Sequence, residues 1–244
     1  MTDIQRHSVI FMQKLILGLA RHWEAIAIGM FIAVLGGAVL APALMAAGLT
    51  DAGEAVYRFF APHDHQLPQR SYFLFSSSGG VKTYSLEQIL AWGGQPHNLR
   101  AFTGTPDIGF KTALNQRMIA IFIGLLVGAV LYSGVYLQPN VNRLGLALLT
   151  FPMFFDALSY MLGERTGSNM RYLNLWAVKL TGGGLPGAFY TGTTTGSLNW
   201  LLRTVTGLLF GLATAWYLGA YFDRSFTAIR RQLEPRLRKI RAIK

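Results

Sequence analysis

Apolar positions along this chain gather into four long runs, separated by polar stretches of very unequal length. Crossing the hydrocarbon core of a bilayer takes about 20 predominantly apolar residues. The runs at 25–48, 118–137 and 204–222 carry no charged side chain, and the run at 144–163 carries only Asp156. Trp23, Tyr136, Trp200 and Tyr221 stand near the ends of the runs, where amphipathic rings settle at the membrane–water interface. Pro42 and Pro152 fall inside runs, which lipid-embedded helices tolerate when neighbours satisfy the freed carbonyl. The pattern predicts an all-α integral membrane fold: a four-transmembrane-helix bundle occupying 23–224, with outer loops at 49–117 and 164–203. Ala41-Pro42-Ala43 resembles a signal cleavage site, but the segment before the first run is too long for a signal n-region. The first run therefore reads as a retained anchor.

Two flanking segments follow different rules. Ile4, Phe11, Leu15 and Leu19 recur near helical spacing, with Gln5, Arg6, Gln13 and Lys14 elsewhere on the wheel. Residues 1–22 are thus expected as an interfacial helix on the cytoplasmic leaflet, the alternative being a plain extension of the first span. Residues 225–244 form a basic tail. Its Arg230, Arg231, Arg236, Arg238, Lys239 and Arg241 suit anionic lipid headgroups.

Charge sets the orientation. An even number of spans puts both termini on one side. Eight Lys and Arg follow Phe222, three precede the first span (Arg6, Lys14, Arg21), and Arg143 lies between the middle spans. Most of the opposing basic residues sit in the loop 49–117, longer than the roughly 60 residues over which the positive-inside rule operates. Both termini are expected in the cytoplasm, and the chain in a bacterial inner membrane as a multi-pass protein. Composition agrees: 52% of residues are hydrophobic and 14% charged, against about 25% charged in soluble domains. The net charge of +11 is concentrated beside an apolar span rather than spread over a polar domain, which argues for membrane lipids and against nucleic acid. The chain has no cysteine, which excludes disulfides, iron–sulfur clusters and thiolate zinc sites.

Within the spans, small residues fall every four positions: Gly29, Ala33, Gly37 and Ala41 in the first, Gly207, Gly211, Ala215 and Gly219 in the fourth. Gly124 and Gly128 give the second a shorter stripe. Such stripes permit close helix approach, within the bundle or onto another subunit. Asp156 is an ionisable residue at depth and so a functional candidate. Arg203 enters the fourth span from the same side, and depth predicts an Asp156–Arg203 pair as a structural lock. A proton relay would need further acids or histidines at depth, and the other spans offer none.

The outer loops are expected to be folded. Tyr72–Phe75 and Val81–Tyr84 read as a short β-hairpin about the Ser76–Gly80 turn, and Ser85 with Gln88 as a capping box opening a short helix that Gly93 ends. The Thr181–Gly184 and Thr191–Gly196 stretches read as turns, lacking the strand–loop–helix context and lysine of a phosphate loop. His63, Asp64 and His65 are candidate metal ligands by chemistry. Extended i, i+2 side chains point to opposite faces, so sharing one ion would require a turn. No cofactor is predicted.

The segment His65-Gln66-Leu67-Pro68-Gln69-Arg70-Ser71-Tyr72-Phe73 resembles the Cys-His-Gln-x-Pro-x-Arg-Ser-Phe-Phe motif of an uncharacterised prokaryotic membrane-protein family, domain of unknown function 2085. The likeness continues through Gly109-Phe110-Lys111, Asn115-Gln116-Arg117, Asp156, and Leu202–Gly207 with Phe210-Gly211, covering roughly 57–224. This version looks like those of filamentous green bacteria and their relatives. It departs at both family cysteines, where Asp64 and Asn115 stand, and at the acid after the arginine, replaced by Met118. The resemblance retains His65, Arg70, Arg117, Asp156 and Arg203, a set that suits polar locks between loop and bundle. The resulting expectation is a non-catalytic accessory or scaffold subunit of a larger bacterial membrane complex, respiratory or photosynthetic by lineage. The alternative is a metal- or redox-linked membrane enzyme using His63 and His65, and a small-solute transporter ranks last for want of buried polar residues.

Overall fold

The structure, a computed structural model, describes residues 3–133, 141–167, 170–240 and 242–243. Four of its helices are long and apolar enough to cross a membrane: α1 (Asp3–Ala46), α4 (Gln116–Ser133), α5 (Arg143–Thr166) and α9 (Leu198–Lys239). The end of the expected second span, with Tyr136, lies outside the described residues, as do the side chain of Ile4 and the residues Arg241 and Lys244.

Both flanking expectations need correction. The interfacial helix expected at 1–22 is not a separate element, because α1 runs unbroken for 44 residues. That is about 66 Å at 1.5 Å per residue, roughly twice a bilayer core. The stretch from Ala20 to Ala25 holds neither Gly nor Pro, so nothing there interrupts the hydrogen-bond ladder. Likewise the basic tail is no tail: α9 continues past Phe222 to Lys239, 42 residues in all. No glycine or proline occurs between Gly219 and Pro235, and Arg236, Arg238 and Lys239 in the last turn complement the helix dipole.

The two overlong ends lie side by side. Arg21 pairs with Glu234 at 2.9 Å. The Trp23 ring sits 5.9 Å from Phe222 and 5.8 Å from Phe226. Leu17, Ala20 and Leu237 are buried. An antiparallel two-helix stalk therefore projects from what we term the terminal end of the bundle.

The small-residue stripes are not all used inside the bundle. Those of α4 and α9 face each other, forming the most extensive helix contact in the fold. A Cβ on Gly211 would lie 2.7 Å from Leu125 N, and one on Gly128 2.7 Å from the Ala215 methyl. Backbones so close rely on glycine. The α1 stripe packs only in its second half, where a Cβ on Gly37 would meet the Phe60 ring at 2.9 Å and Ala41 is buried. Gly29 and Ala33 face outward, and nothing lies within 4 Å of a Cβ on Gly29.

At the opposite, loop-bearing end, α2 (Thr50–Phe60) folds back on α1 through Tyr57 and Phe60, packed with Ala38, Ala41, Ala113 and Leu114. A small antiparallel sheet follows, with β1 (Phe73–Leu74), β2 (Gly104–Thr105) and β3 (Gly109–Lys111) in the order β1-β3-β2. Phe73 pairs with Lys111 and Gly104 with Phe110. The expected hairpin is corrected: its second strand reduces to the single Phe73–Lys82 bridge. Phe75, at φ 62°, leaves the extended geometry directly after Leu74, and Gly79 and Gly80 also adopt positive φ, so the ladder does not continue. Helix α3 (Leu86–Ala91) opens with the Ser85–Gln88 capping box as expected. Before α9 come three short helices, α6 (Met170–Leu173), α7 (Leu175–Thr181) and α8 (Gly187–Tyr190), with the expected glycine turns between and after them.

Candidate functional site

At the loop end, charged side chains from five elements converge on one face of α5. Asp156 is buried and sits one helical turn before Tyr160 on that face. Its two carboxylate oxygens accept from different arginines, Oδ2 from Arg117 of α4 and Oδ1 from Arg171 of α6. The Asp156–Arg203 pair expected from depth is therefore not formed. Arg203 of α9, 3% exposed, donates from Nη2 to the Thr193 carbonyl at 3.3 Å and stands 5.7 Å from the Tyr160 ring centroid. Arg70, from a 3-10 turn at Pro68–Arg70, lies over the same ring at 4.3 Å, and Arg171 lies at 5.5 Å. Tyr160 thus presents its electron-rich face to three guanidinium groups, a cation–π arrangement favoured by desolvation.

The structure brings Asp156, Arg203, Arg70 and Arg117 into one neighbourhood, but the bonding differs from expectation because Arg171 reaches the carboxylate first. Arg171 is placed by Asn199, whose Nδ2 donates to the Arg171 carbonyl at 2.7 Å and to the Gly192 carbonyl at 2.8 Å. Sequence reasoning missed Arg171 and Tyr160. The i, i+4 spacing of Asp156 and Tyr160 was the one available signal.

A second buried polar system locks the loop 49–117. Gln66 adopts a left-handed conformation, φ 50°, a strain of about 1–2 kcal/mol for a side chain with a Cβ. Its surroundings hold it there. The Gln66 N–H donates to Asp64 Oδ1 at 2.6 Å, and Nε2 donates to the carbonyls of Tyr57 and Ala113 at 2.9 and 3.0 Å. Lys111, completely buried, donates from Nζ to the Gln66 carbonyl at 3.0 Å and also to the Arg100 carbonyl. Burial pulls the Lys111 ammonium down to about 7, with Arg100 adding to the drop and Asp64 opposing it. Burial also pushes the Tyr57 phenol, whose hydroxyl donates to the Lys111 carbonyl, upward.

The candidate metal ligands are separated by the same lock. Asp64 turns inward, its Oδ2 accepting from the Asn115 N–H at 2.8 Å, while His63 and His65 are exposed. With both oxygens committed, Asp64 offers no free ligand beside either imidazole. Among the described residues no group of three or more His, Cys, Asp or Glu could hold a metal ion. Asp64 and Asn115 thus stand side by side.

The two long loops are joined to each other. Thr193 Oγ1 donates to the Gln69 carbonyl at 2.7 Å, Thr195 N–H to Thr83 Oγ1 at 2.8 Å, and Trp200 Nε1 to the Tyr72 hydroxyl at 3.0 Å. The threonine–glycine turns, read from sequence as connections alone, thus dock on the segment 69–83. No family model matches this chain, and neither the curated proteins nor the solved structures include a match.

Proposed function

We propose that the protein is a non-catalytic accessory or scaffold subunit of a larger bacterial membrane complex. In this reading α1, α4, α5 and α9 span the inner membrane and both termini are cytoplasmic. The observation that carries it is the stalk. From Phe222 to Lys239 α9 runs about 25 Å beyond its apolar span, with α1 packed along it. The stalk leaves Val9, Phe11, Met12, Leu15, Ile16 and Leu19 exposed, Phe11 by 66%. A helix pair that extends beyond the apolar span with an open apolar face suits docking of a partner subunit.

Charge indicates the partner's character. Headgroup attraction fades within a Debye length, about 10 Å. Arg224 and Arg230 fall near that range, whereas Arg236, Arg238 and Lys239 lie farther out and fit an acidic protein surface better than lipid. The likeness to versions of domain of unknown function 2085 in filamentous green bacteria points, by lineage alone, to a respiratory or photosynthetic complex. The use of the 65–73 motif as the tie between loop and bundle fits a structural role.

Extraction from native membranes in mild detergent, followed by native gel and mass spectrometry, tests the proposal. The expected result is co-migration with other subunits, lost in a Phe11→Glu, Leu15→Glu double variant whose melting temperature is unchanged. Migration as a lone chain would defeat the scaffold reading. Because the chain contains no cysteine, Ser78→Cys and Lys239→Cys report sidedness cleanly. An impermeant thiol reagent should label only Ser78→Cys from the periplasmic face, and the reverse pattern would invert the orientation.

A further inference from the structure

α1 keeps a broad apolar face outside the bundle, and that face has a period. From Met12 to Leu40 its exposed positions advance in alternating steps of three and four residues, Leu15, Leu19 and Ile26 among them. Gly29, Ala33 and Gly36 fall in the same series, and a Cβ on Gly29 or Gly36 would meet nothing within 4 Å. Steps of three and four are the repeat by which one helix lays a seam against another. We propose that this seam docks on the same seam of a second copy of the chain, the two α1 helices lying parallel and in register. Such docking takes up the open stalk face of the proposed function, rests on that reading, and identifies the partner.

Self-docking sets a strict condition on charge. Across a two-fold axis the same residues oppose each other, so a charge in or beside the seam would face a like charge. The charged residues of this stretch, Lys14, Arg21 and Glu24, all fall outside the seam and the two positions that flank it in each repeat. Arg21 is turned instead to Glu234 of α9. The flanks hold Phe11, Ile16, Met30 and Ile32, between 41% and 66% exposed, which widen the apolar strip. His22 is the one polar member of the series. A single polar layer in an apolar seam costs stability and fixes register.

Length selects a second copy over another helix. α1 runs 44 residues, and its seam carries on past the apolar run into the stalk. A helix that covers it needs the same overlength and an apolar face along both halves. It must also tolerate the close approach that Gly29, Ala33 and Gly36 allow. The α1 of a second copy meets all three requirements. Two copies inserted the same way present α1 parallel and at one depth, so Gly29 faces Gly29 without adjustment. From Phe11 to Leu40 the strip on each copy is about 45 Å long and about 10 Å wide, burying on the order of 1,000 Å² in total, the size at which specific interfaces begin.

The chain contains no cysteine, so single-cysteine variants oxidised in native membranes report the contact directly. Leu15→Cys, Leu19→Cys, Ile26→Cys and Ala33→Cys should each give a disulfide-linked dimer of this chain. Lys14→Cys, exposed but off the seam, and Leu158→Cys, exposed on α5, should give roughly tenfold less, because a disulfide needs close and aligned Cβ atoms. Gly29→Leu in the Ile26→Cys background should lower the dimer yield roughly fivefold or more by blocking close approach. It should leave the melting temperature within about a degree, since nothing lies near that Cβ within one copy. Equal yield at Leu158→Cys would mark random collision and overturn the docking. So would no dimer at the seam positions, or a yield untouched by Gly29→Leu. Native gels separate these outcomes from the scaffold reading. Co-migration with other subunits but no seam cross-link defeats self-docking alone. A cross-linked dimer that migrates with no other subunit defeats the scaffold reading and leaves self-docking in place.

Discussion

The two ends of this helical bundle are held together by different physics. At the loop end, Arg70, Arg117, Asp156, Arg171 and Arg203 come from five elements and meet in a buried, directional network. Moving any one of those elements breaks several bonds at once, so the network fixes position more than it adds net stability. At the terminal end, α1 and α9 meet through rings and aliphatic side chains, Trp23 against Phe222 and Phe226, and through a partly exposed ion pair between Arg21 and Glu234. Such contacts are forgiving of small shifts, and they leave an apolar face open. One end is closed by directional bonds, and the other leaves apolar side chains exposed.

The largest effect should come from Asp156. Its removal strands Arg117 and Arg171, already in a region rich in guanidinium, and breaking a buried pair this way costs about 3–5 kcal/mol. Thermal unfolding in detergent should show Asp156→Ala as the most damaging single change at this end. A double-mutant cycle gives the sharper test. Asp156→Ala with Arg171→Ala should be strongly non-additive, and Asp156→Ala with Arg203→Ala nearly additive, because only the first pair is bonded. Strong coupling to Arg203 instead would restore the pairing that depth alone suggests.

Next in size is a pH dependence from the loop lock. Lys111 titrates near 7 in the folded chain and at its ordinary 10.5 when unfolded. Between those values the unfolded state binds more protons, so stability rises with pH. Below about pH 7 both states are charged and the full cost of burying the ammonium stands; above 10.5 neither is, and that cost is gone. The slope within the window is at most about 1.4 kcal/mol per pH unit. Tyr57 acts oppositely, since a raised phenol withdraws stability above pH 10 and caps the rise there. Melting temperature should climb from pH 7 to 10 in the native chain and stay flat in Lys111→Met. A flat native profile would mean that Lys111 keeps its ordinary affinity for protons.

Much of the fold was readable from the chain because its four apolar runs obey a length rule that few other structures satisfy. The Ser85–Gln88 cap was equally readable, being local. What sequence concealed was where polarity changes without a change of structure. The residues past Phe222 look like a charged tail, yet Arg, Gln, Leu and Glu are good helix formers and nothing stops the ladder before Pro235. The arginine cluster was half legible. Asp156 announces itself by depth, but the choice among Arg70, Arg117, Arg171 and Arg203 depends on how the loops 49–117 and 164–203 fold, and no periodicity records that. Lys111 was hidden for a similar reason: its burial follows from the β3 register and the turn at Gln66, neither visible as local pattern.

The smallest effect tests the comparison from its other side. Arg21 and Glu234 pair at 2.9 Å, with side chains 37% and 32% exposed. Solvent screens such a pair, and the entropy of fixing two long side chains offsets much of what remains, leaving about 0.2–1 kcal/mol. A cycle of Arg21→Ala and Glu234→Ala should give a coupling in that range that shrinks between low and high salt, as exposed charges do. The Asp156–Arg171 coupling should be several times larger and respond little to salt, because both side chains are buried. Trp23→Ala should loosen the stalk more than either charge change, since it empties the contacts to Phe222 and Phe226 together. If instead the Arg21–Glu234 coupling matched that of Asp156–Arg171, the stalk would be positioned by charge as firmly as the loop end. Its apolar face would then be a surface presented at a fixed angle, and the partner proposed for it would have to meet that angle rather than adapt to a yielding one.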